Sequence, residues 1–282
     1  MIRFDGRVVV VTGAGRGLGA AYAKAFGARG ATVVVHDAGV GRGGEGGDAA
    51  VADALVQEIR SAGGTAVASY ENLGSEKACR RIVDEAVSTH GRLDVLVNNA
   101  GLVVYENIED ADSWDVMRRV HIDAPFHLSR AAFPVMKRQR YGRLVFTTSG
   151  IAMSADDTRP GLAAYAMGKM APFGLMVVLA AEGREHGILS NAISPVAATR
   201  VYTRPAEPRE LEPEQVAPGV LFLSSEECPV TGVVLSAAGG HFGARWWERS
   251  EGVDFGRDPV EPEHIAERWP EIAAPKGTGP GV

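Results

Sequence analysis

Tyr165 and Lys169 stand four residues apart in the stretch Tyr165-Ala166-Met167-Gly168-Lys169. On a helix that spacing puts both side chains on one face, one turn apart. A free phenol has a pKa of about 10 and shuttles protons poorly at neutral pH. An ammonium held beside it favours the phenolate and lowers that pKa by roughly 1–3 units, toward the range useful in acid–base catalysis. A lone pair of this kind is equally the exposed face of an amphipathic helix, because so short a motif recurs by chance. Whether it does chemistry depends on the elements that place it.

Near the N-terminus, Thr12 to Gly19 reads Gly13-x3-Gly17-x-Gly19, with Leu18 where a strict GxGxxG has its third glycine. Residues without a Cβ let the backbone approach a pyrophosphate, whose charge then sits at a helix N-terminus. The turn joins a β-branched strand, Arg7–Val11, to a helix from Ala20 to about Arg29, and a second strand, Thr32–His36, runs into Asp37. That is a βαβ unit of the length that binds dinucleotides. Asp37 stands at the separation expected of the acid that bonds the adenosine ribose hydroxyls. A carboxylate there repels a 2′-phosphate and favours NAD over NADP. Arg16 and Arg42 keep NADP open, and a solvated loop acid is the plain alternative for Asp37.

The rest of the chain alternates in the same manner. After a glycine-rich insertion, Gly39–Gly47, the pattern predicts helices over about Asp48–Ser61 and Ser75–Thr89 and strands at Thr65–Ser69 and Leu93–Val97. Asn98-Asn99-Ala100-Gly101 then falls at a strand's carboxyl end, where doubly wound sheets hold ligand. A long helical stretch over about Asp112–Arg140 is expected to break just before Pro125. Strand Arg143–Thr148 ends at Ser149, and a helix from Leu162 to about Arg184 carries Tyr165 and Lys169. Its later part is apolar all round and calls for a second covering surface, read as a subunit contact. A strand at Ile188–Ser194 leads to Pro195 and Thr199, followed by a helix over Pro213–Leu223 and a last strand at Gly232–Ser236. The fold class is therefore α/β: one doubly wound parallel sheet of about seven strands, flanked by helices, over residues 1–243. Residues 244–282 form a C-terminal extension whose three tryptophans, Trp246, Trp247 and Trp269, argue for docking on the body or on a neighbouring subunit.

Composition removes other classes. A formal net charge of −6 with no Lys/Arg-rich run gives nucleic acid no footprint. Cys79 and Cys228 lie far apart without metal-ligand neighbours, so they read as buried small hydrophobes in a reducing cytoplasm, and no metal is expected. No signal peptide and no apolar run near ~20 residues is visible, so no membrane partner is expected either.

Together, Thr12–Gly19, Asp37, Asn98–Gly101, Ser149, Tyr165 and Lys169 resemble the short-chain dehydrogenase/reductase family over about Asp5 to Gly243. Val35-His36-Asp37, Arg119-Val120-His121, Tyr141-Gly142-Arg143 and Ala180-Ala181-Glu182-Gly183 look like the D-3-hydroxyacyl-CoA dehydrogenase part of peroxisomal multifunctional enzymes and their 17β-hydroxysteroid dehydrogenase-like bacterial relatives. The resemblance implies a Rossmann-type fold, a homo-dimer or homo-tetramer, and hydride transfer between NAD and a small-molecule substrate, a bulky secondary alcohol or ketone of the 3-hydroxyacyl-CoA or hydroxysteroid type. It implies that Tyr165 moves the alcohol proton, Ser149 holds the substrate oxygen, and Lys169 binds the nicotinamide ribose and lowers the pKa of Tyr165. Gly13, Gly15, Arg16, Gly17, Leu18, Gly19, Asp37, Asn98, Ala100, Gly101, Pro195 and Thr199 would hold the cofactor, with Glu71, Asn72 and Leu73 at the adenine edge.

Two departures stand out. His121 occupies the position of the family's fourth catalytic residue, an Asn, and is a candidate relay or simply a satisfied core histidine. Ser149 and Tyr165 are sixteen residues apart, longer than the family spacing, with the surplus in Ala155–Pro160. If that loop does not bulge outward, Ser154 rather than Ser149 faces the substrate. Substrate selection would fall to Ala155–Pro160, Val103–Asn107 and Arg200–Arg209. A catalytically silent NAD-binding protein of the same fold is the alternative reading.

Overall fold

The structure is a computed structural model and describes residues 1–41, 43–199, 207, 209–257 and 259–275. Arg42 and residues 200–206 therefore lie outside the described residues. Two compact units divide the chain, residues 1–244 and 245–282.

In the first unit, strands β1 (Val8–Thr12), β2 (Thr32–His36), β3 (Thr65–Ser69), β4 (Val95–Asn98), β5 (Gly142–Thr147), β6 (Ile188–Val196), β7 (Val234–Ala238) and β8 (His241–Arg245) form one sheet in the order β3-β2-β1-β4-β5-β6-β7-β8. Pairings from β3 through β7 are all parallel. The central strands are apolar at every position because both faces are covered. Successive side chains point to opposite faces. Val9, Val11, Val33, Val35, Val95, Val97 and Val145 join one core with helices α1 (Gly17–Gly27), α2 (Ala50–Ser61) and α7 (Ala217–Ser224). Val8, Val10, Val34, Leu96, Leu144 and Phe146 join the other with α3 (Glu76–His90), α5 (Ala124–Gln139) and α6 (Ala163–Gly183).

The chain reverses its direction of winding between β1 and β4, which lie side by side. Loops leaving their carboxyl ends therefore diverge and open a crevice, the place such sheets hold ligands. The Gly-rich turn and Asn98–Gly101 are those two loops.

Several elements differ from the sequence expectation. The sheet has eight strands, not about seven. β8 follows β7 through Gly239-Gly240, both with positive φ (54° and 81°), the backbone of a two-residue hairpin turn. The long fourth helix breaks just before Pro125 as expected, but the break between α4 (Trp114–Arg118) and α5 takes the form of a π-helical turn at Arg119–Asp123, with Pro125 in the first turn of α5 where its missing N–H costs nothing. Residues 163–186 are long and apolar enough to cross a membrane by length and composition, although no such run was expected. Their apolarity is that of two faces. Pro172, Met176, Leu179, Ala180 and Gly183 are buried, while Met167, Val177 and Val178 are exposed.

The second unit contains α8 (Pro262–Ile272), an element the sequence reading did not place. Glu261 and His264 cap its start reciprocally, Ser250 Oγ donates to Ile272 O at 2.6 Å at its end, and Arg268 pairs with Glu271.

Candidate active site

The carboxyl ends of β1 and β2 and the turn into α1 shape a cavity of about 410 Å³, within the range of small-molecule sites. Gly13, Arg16, Gly17, Leu18, Gly19, Asp37, Asn72, Leu73, Ala100, Gly101 and Thr199 line it. The glycines are there for space. A Cβ on Gly19 would lie 2.2 Å from Gly13 O, and one on Gly13, whose φ is +61°, 2.8 Å from Ala100 Cα. Asp37 ties the turn together, since Oδ2 accepts from Gly15 N and Oδ1 from Gly39 N, both at 2.8 Å. A helix N-terminus with close-packed glycines and a fixed carboxylate one strand away fits a dinucleotide: backbone N–H groups for the pyrophosphate, Asp37 for a ribose diol.

Some expected cofactor residues lie elsewhere. Glu71 is not among the lining residues: its carboxylate pairs with Arg81, and its carbonyl accepts from His36 Nε2 at 2.7 Å. Pro195 and Asn98 do not line the cavity, and Gly15 faces α2, where a Cβ would strike Val51 Cγ1 at 2.4 Å. Asn98 is buried, and neither of its side-chain atoms has a hydrogen-bond partner among the described residues. The residue that braces the turn is its neighbour: Asn99 Nδ2 donates to Thr12 O at 2.9 Å and to Gly13 O at 3.1 Å. Thr12 Oγ1 in turn accepts from the N–H groups of Asn99 and Ala100. A threonine ending one strand and a doubled asparagine ending the next were the available signal.

Beyond β5 stand Ser149, Tyr165 and Lys169. Ser149 follows the strand in extended conformation and is the hydrogen-bonding neighbour of Tyr165. Lys169 is buried and fastened twice to the end of β5, its Nζ donating to Thr147 O at 3.1 Å and its carbonyl accepting from Thr148 Oγ1 at 2.6 Å. Neither threonine was singled out from the sequence. The Lys169 Nζ lies 5.8 Å from the centroid of the Tyr165 ring.

The electrostatics reverse one expectation. Tyr165 is held above the usual phenol value, because removal from water outweighs the bond to Ser149 that favours the phenolate, and the charge of Tyr105 pushes the same way. Attraction to Lys169 does not offset this. Burial instead lowers Lys169 itself to about 8. In the protein alone, desolvation pushes both groups toward their neutral forms.

His121 lies in the π-helical turn and is buried, its ring edge-on to Tyr165 with centroids 5.7 Å apart. Nε2 lies 2.9 Å from Leu102 O and 3.2 Å from Leu102 N. Burial, then the charge of Lys169, push it down to about 3, against the bond to Leu102 O. Both causes favour the neutral imidazole. Glycines bracket it: a Cβ on Gly168 would lie 2.7 Å from His121 Cβ, and one on Gly101 2.9 Å from His121 Cε1 and 3.1 Å from Lys169 Nζ.

The surplus loop bulges outward. Residues 155–160 are exposed, and Ser154 Oγ accepts from Asp156 N at 3.2 Å within a local turn. Ser149, not Ser154, thus stands with Tyr165.

A Rossmann-type dinucleotide cradle opening toward a Ser–Tyr–Lys group defines a nicotinamide-dependent oxidoreductase. The family model "short chain dehydrogenase" matches residues 7–209, and the chain belongs to the short-chain dehydrogenase/reductase family, enzymes acting on CH–OH groups. It is 42% identical over 280 residues to the peroxisomal multifunctional enzyme type 2 of Mus musculus, covering 96% of this chain and 37% of that one. It spans about a third of the length of the first curated relatives it matches. A short-chain dehydrogenase from Mycobacterium avium superposes with a TM-score of 0.83 at 35% identity, covering 97% of this chain and 98% of that one. A metagenomic short-chain oxidoreductase in complex with NADP superposes with a TM-score of 0.68 at 30% identity, over 81% and 95% of the two chains.

Proposed function

We propose that this protein is an NAD-dependent dehydrogenase of bulky secondary alcohols, of the 3-hydroxyacyl-CoA or hydroxysteroid type. The observation that carries the reading is the convergence of Ser149 on Tyr165, with Lys169 fastened to the same strand end, beside a cradle whose ribose end is Asp37. NAD is preferred over NADP because a 2′-phosphate would meet the Asp37 carboxylate. The relatives named as multifunctional enzymes and hydratase-dehydrogenase-epimerases support an acyl substrate.

The bound nicotinamide supplies the hydride chemistry. In this reading Ser149 donates a hydrogen bond to the substrate oxygen and holds it against Tyr165. Tyr165, protonated at neutral pH, is ready to give its proton to a ketone oxygen. In the direction of alcohol oxidation it must ionise first, and Lys169, charged below about pH 8, is the neighbouring cation that favours this. A homo-dimer or homo-tetramer through α5 and α6 belongs to the same reading, supported by the exposed Phe126, Met167, Val177 and Val178.

The test is NADH absorbance during incubation with a panel of acyl-CoA and steroid alcohols, alongside Tyr165→Phe. The wild type should turn over at least one member, and the variant should lose about 10²–10⁴-fold in kcat with NAD affinity nearly unchanged. A variant keeping most of its activity would sink the role of Tyr165. Clear NAD binding without turnover of any alcohol would instead mark a catalytically silent NAD-binding protein.

A further inference from the structure

Between Gly101 and α4 the chain forms a strap pinned at three points. Leu102 is buried, with its carbonyl oxygen 2.9 Å and its nitrogen 3.2 Å from His121 Nε2, which bonds one or the other according to the tautomer. Glu106 pairs with Leu162 in an isolated parallel bridge, with Glu106 N donating to Gly161 O at 2.9 Å. The Glu106 carboxylate then accepts from Ser113 N at 3.0 Å and Ser113 Oγ at 2.5 Å. Gly161 has a φ of +81°, a conformation that lets the strap meet the residue preceding α6.

Tyr105 sits between the first two pins. It is 50% exposed, and its phenol makes no hydrogen bond among the described residues. The bridge brings its neighbour Glu106 to Leu162, three residues before Tyr165. Met153, half-buried in the loop after Ser149, and Val196, exposed at the end of β6, are apolar residues on the other sides of the same sheet end. A single exposed aromatic side chain needs no explanation in general. A large ring with only two rotatable bonds, on a backbone fixed at both sides, is the kind of surface that binds an apolar group with little loss of entropy.

Resting on the proposed dehydrogenase reading, we propose that Tyr105 is a specificity-determining residue. Its ring walls the substrate mouth beside Tyr165 and selects secondary alcohols that carry an apolar group next to the carbinol carbon. The pinned strap fixes the width of that mouth.

Steady-state kinetics of wild type, Tyr105→Phe and Tyr105→Ala test this, with Tyr70→Ala as control, since Tyr70 is exposed and bonds Asp53. Tyr105→Ala should raise KM for bulky alcohols about tenfold, equivalent to about 1.4 kcal/mol. Its kcat should stay within about twofold, with NAD affinity and the KM of a small alcohol such as 2-propanol unchanged. Tyr105→Phe should keep the KM for bulky alcohols, because the ring and not the hydroxyl forms the wall. An unchanged KM in Tyr105→Ala, or an equal rise for bulky and small alcohols, overturns the proposal. If the wild type turns over no alcohol, the proposed function fails on its own. Calorimetric binding of the matching ketones to the NAD-loaded protein then judges Tyr105: affinity about tenfold weaker in Tyr105→Ala supports it, and equal affinity or no binding overturns it.

Discussion

Replacing His121 by Asn isolates the cost of keeping an imidazole neutral inside this site. In the folded chain burial and Lys169 push His121 down to about 3, against an ordinary value of 6.5. Below pH 6.5 the unfolded chain therefore takes up a proton that the folded chain refuses, so stability rises with pH between about 3 and 6.5. The contribution is complete above 6.5 and is lost as the pH falls toward 3. At about 1.36 kcal/mol per pH unit, the window is worth about 5 kcal/mol, and the step from pH 7 to pH 5 about 2 kcal/mol. Asn has no proton to take up, so His121→Asn should lose about 2 kcal/mol less than wild type over that step. The smaller side chain also leaves a gap beside Gly101 and Gly168, lowering stability at both pH values alike. His36, buried and likewise lowered, contributes equally to both proteins and cancels. Urea unfolding of both proteins at pH 7 and pH 5 reads the difference, and NMR of labelled histidines reads the imidazole directly. Equal pH dependence in the two proteins, or a His121 resonance titrating near 6.5, would refute the reasoning and reopen His121 as an acid.

Four other substitutions probe the site. Asp37→Ala removes the acceptor shared by Gly15 and Gly39 as well as the ribose partner, so NAD binding measured by calorimetry should weaken about ten- to a hundredfold and the preference over NADP should relax; a wild type that prefers NADP would contradict the carboxylate argument. Ser149→Ala should cost far more activity than Ser154→Ala, whose hydroxyl serves only its own turn, and the opposite ranking in kcat/KM would place the substrate oxygen elsewhere. Gly101→Ala puts a methyl group 2.9 Å from His121 Cε1 and 3.1 Å from Lys169 Nζ. Displacing Lys169 by a fraction of an ångström to one ångström should cost up to about 10²-fold in kcat, with unchanged circular dichroism; full activity would mean that the close approach of Gly101 to Lys169 is not needed.

The sheet was legible because its signal is local. Uninterrupted β-branched runs such as Val8–Val11 and Thr32–Val35 occur where a strand is covered on both faces, and Thr65–Ser69 and Ile188–Ser194 were placed within two residues of the observed strands. β8 escaped because His241-Phe242-Gly243-Ala244-Arg245 lacks that pattern: an edge strand buried on neither side has no reason to be apolar. The π-helical turn escaped for another reason, since it places His121 between Gly101 and Gly168, residues 20 and 47 positions away in the chain, and a local pattern carries no such long-range contact.

The positions of Tyr165, Lys169 and Ser149 were likewise readable from a helix period and a strand end, but the ionisation of the first two was not. A four-residue spacing says that an ammonium and a phenol share a helix face. It does not say that the ammonium reaches across to Thr147 O, or that both groups lose most of their water. Desolvation opposes either charge, raising the phenol and lowering the ammonium, whereas attraction within the pair would move each the other way. With Nζ 5.8 Å from the centre of the ring and held by a backbone carbonyl, desolvation wins. The pair is thus set at rest as a neutral acid beside a cation that begins to discharge near pH 8. Activity limited by proton removal at Tyr165 should consequently climb with pH while Lys169 still carries its charge, and flatten once that charge is lost. A profile of kcat/KM that keeps climbing well above pH 8 with undiminished slope would show that Lys169 plays no electrostatic part.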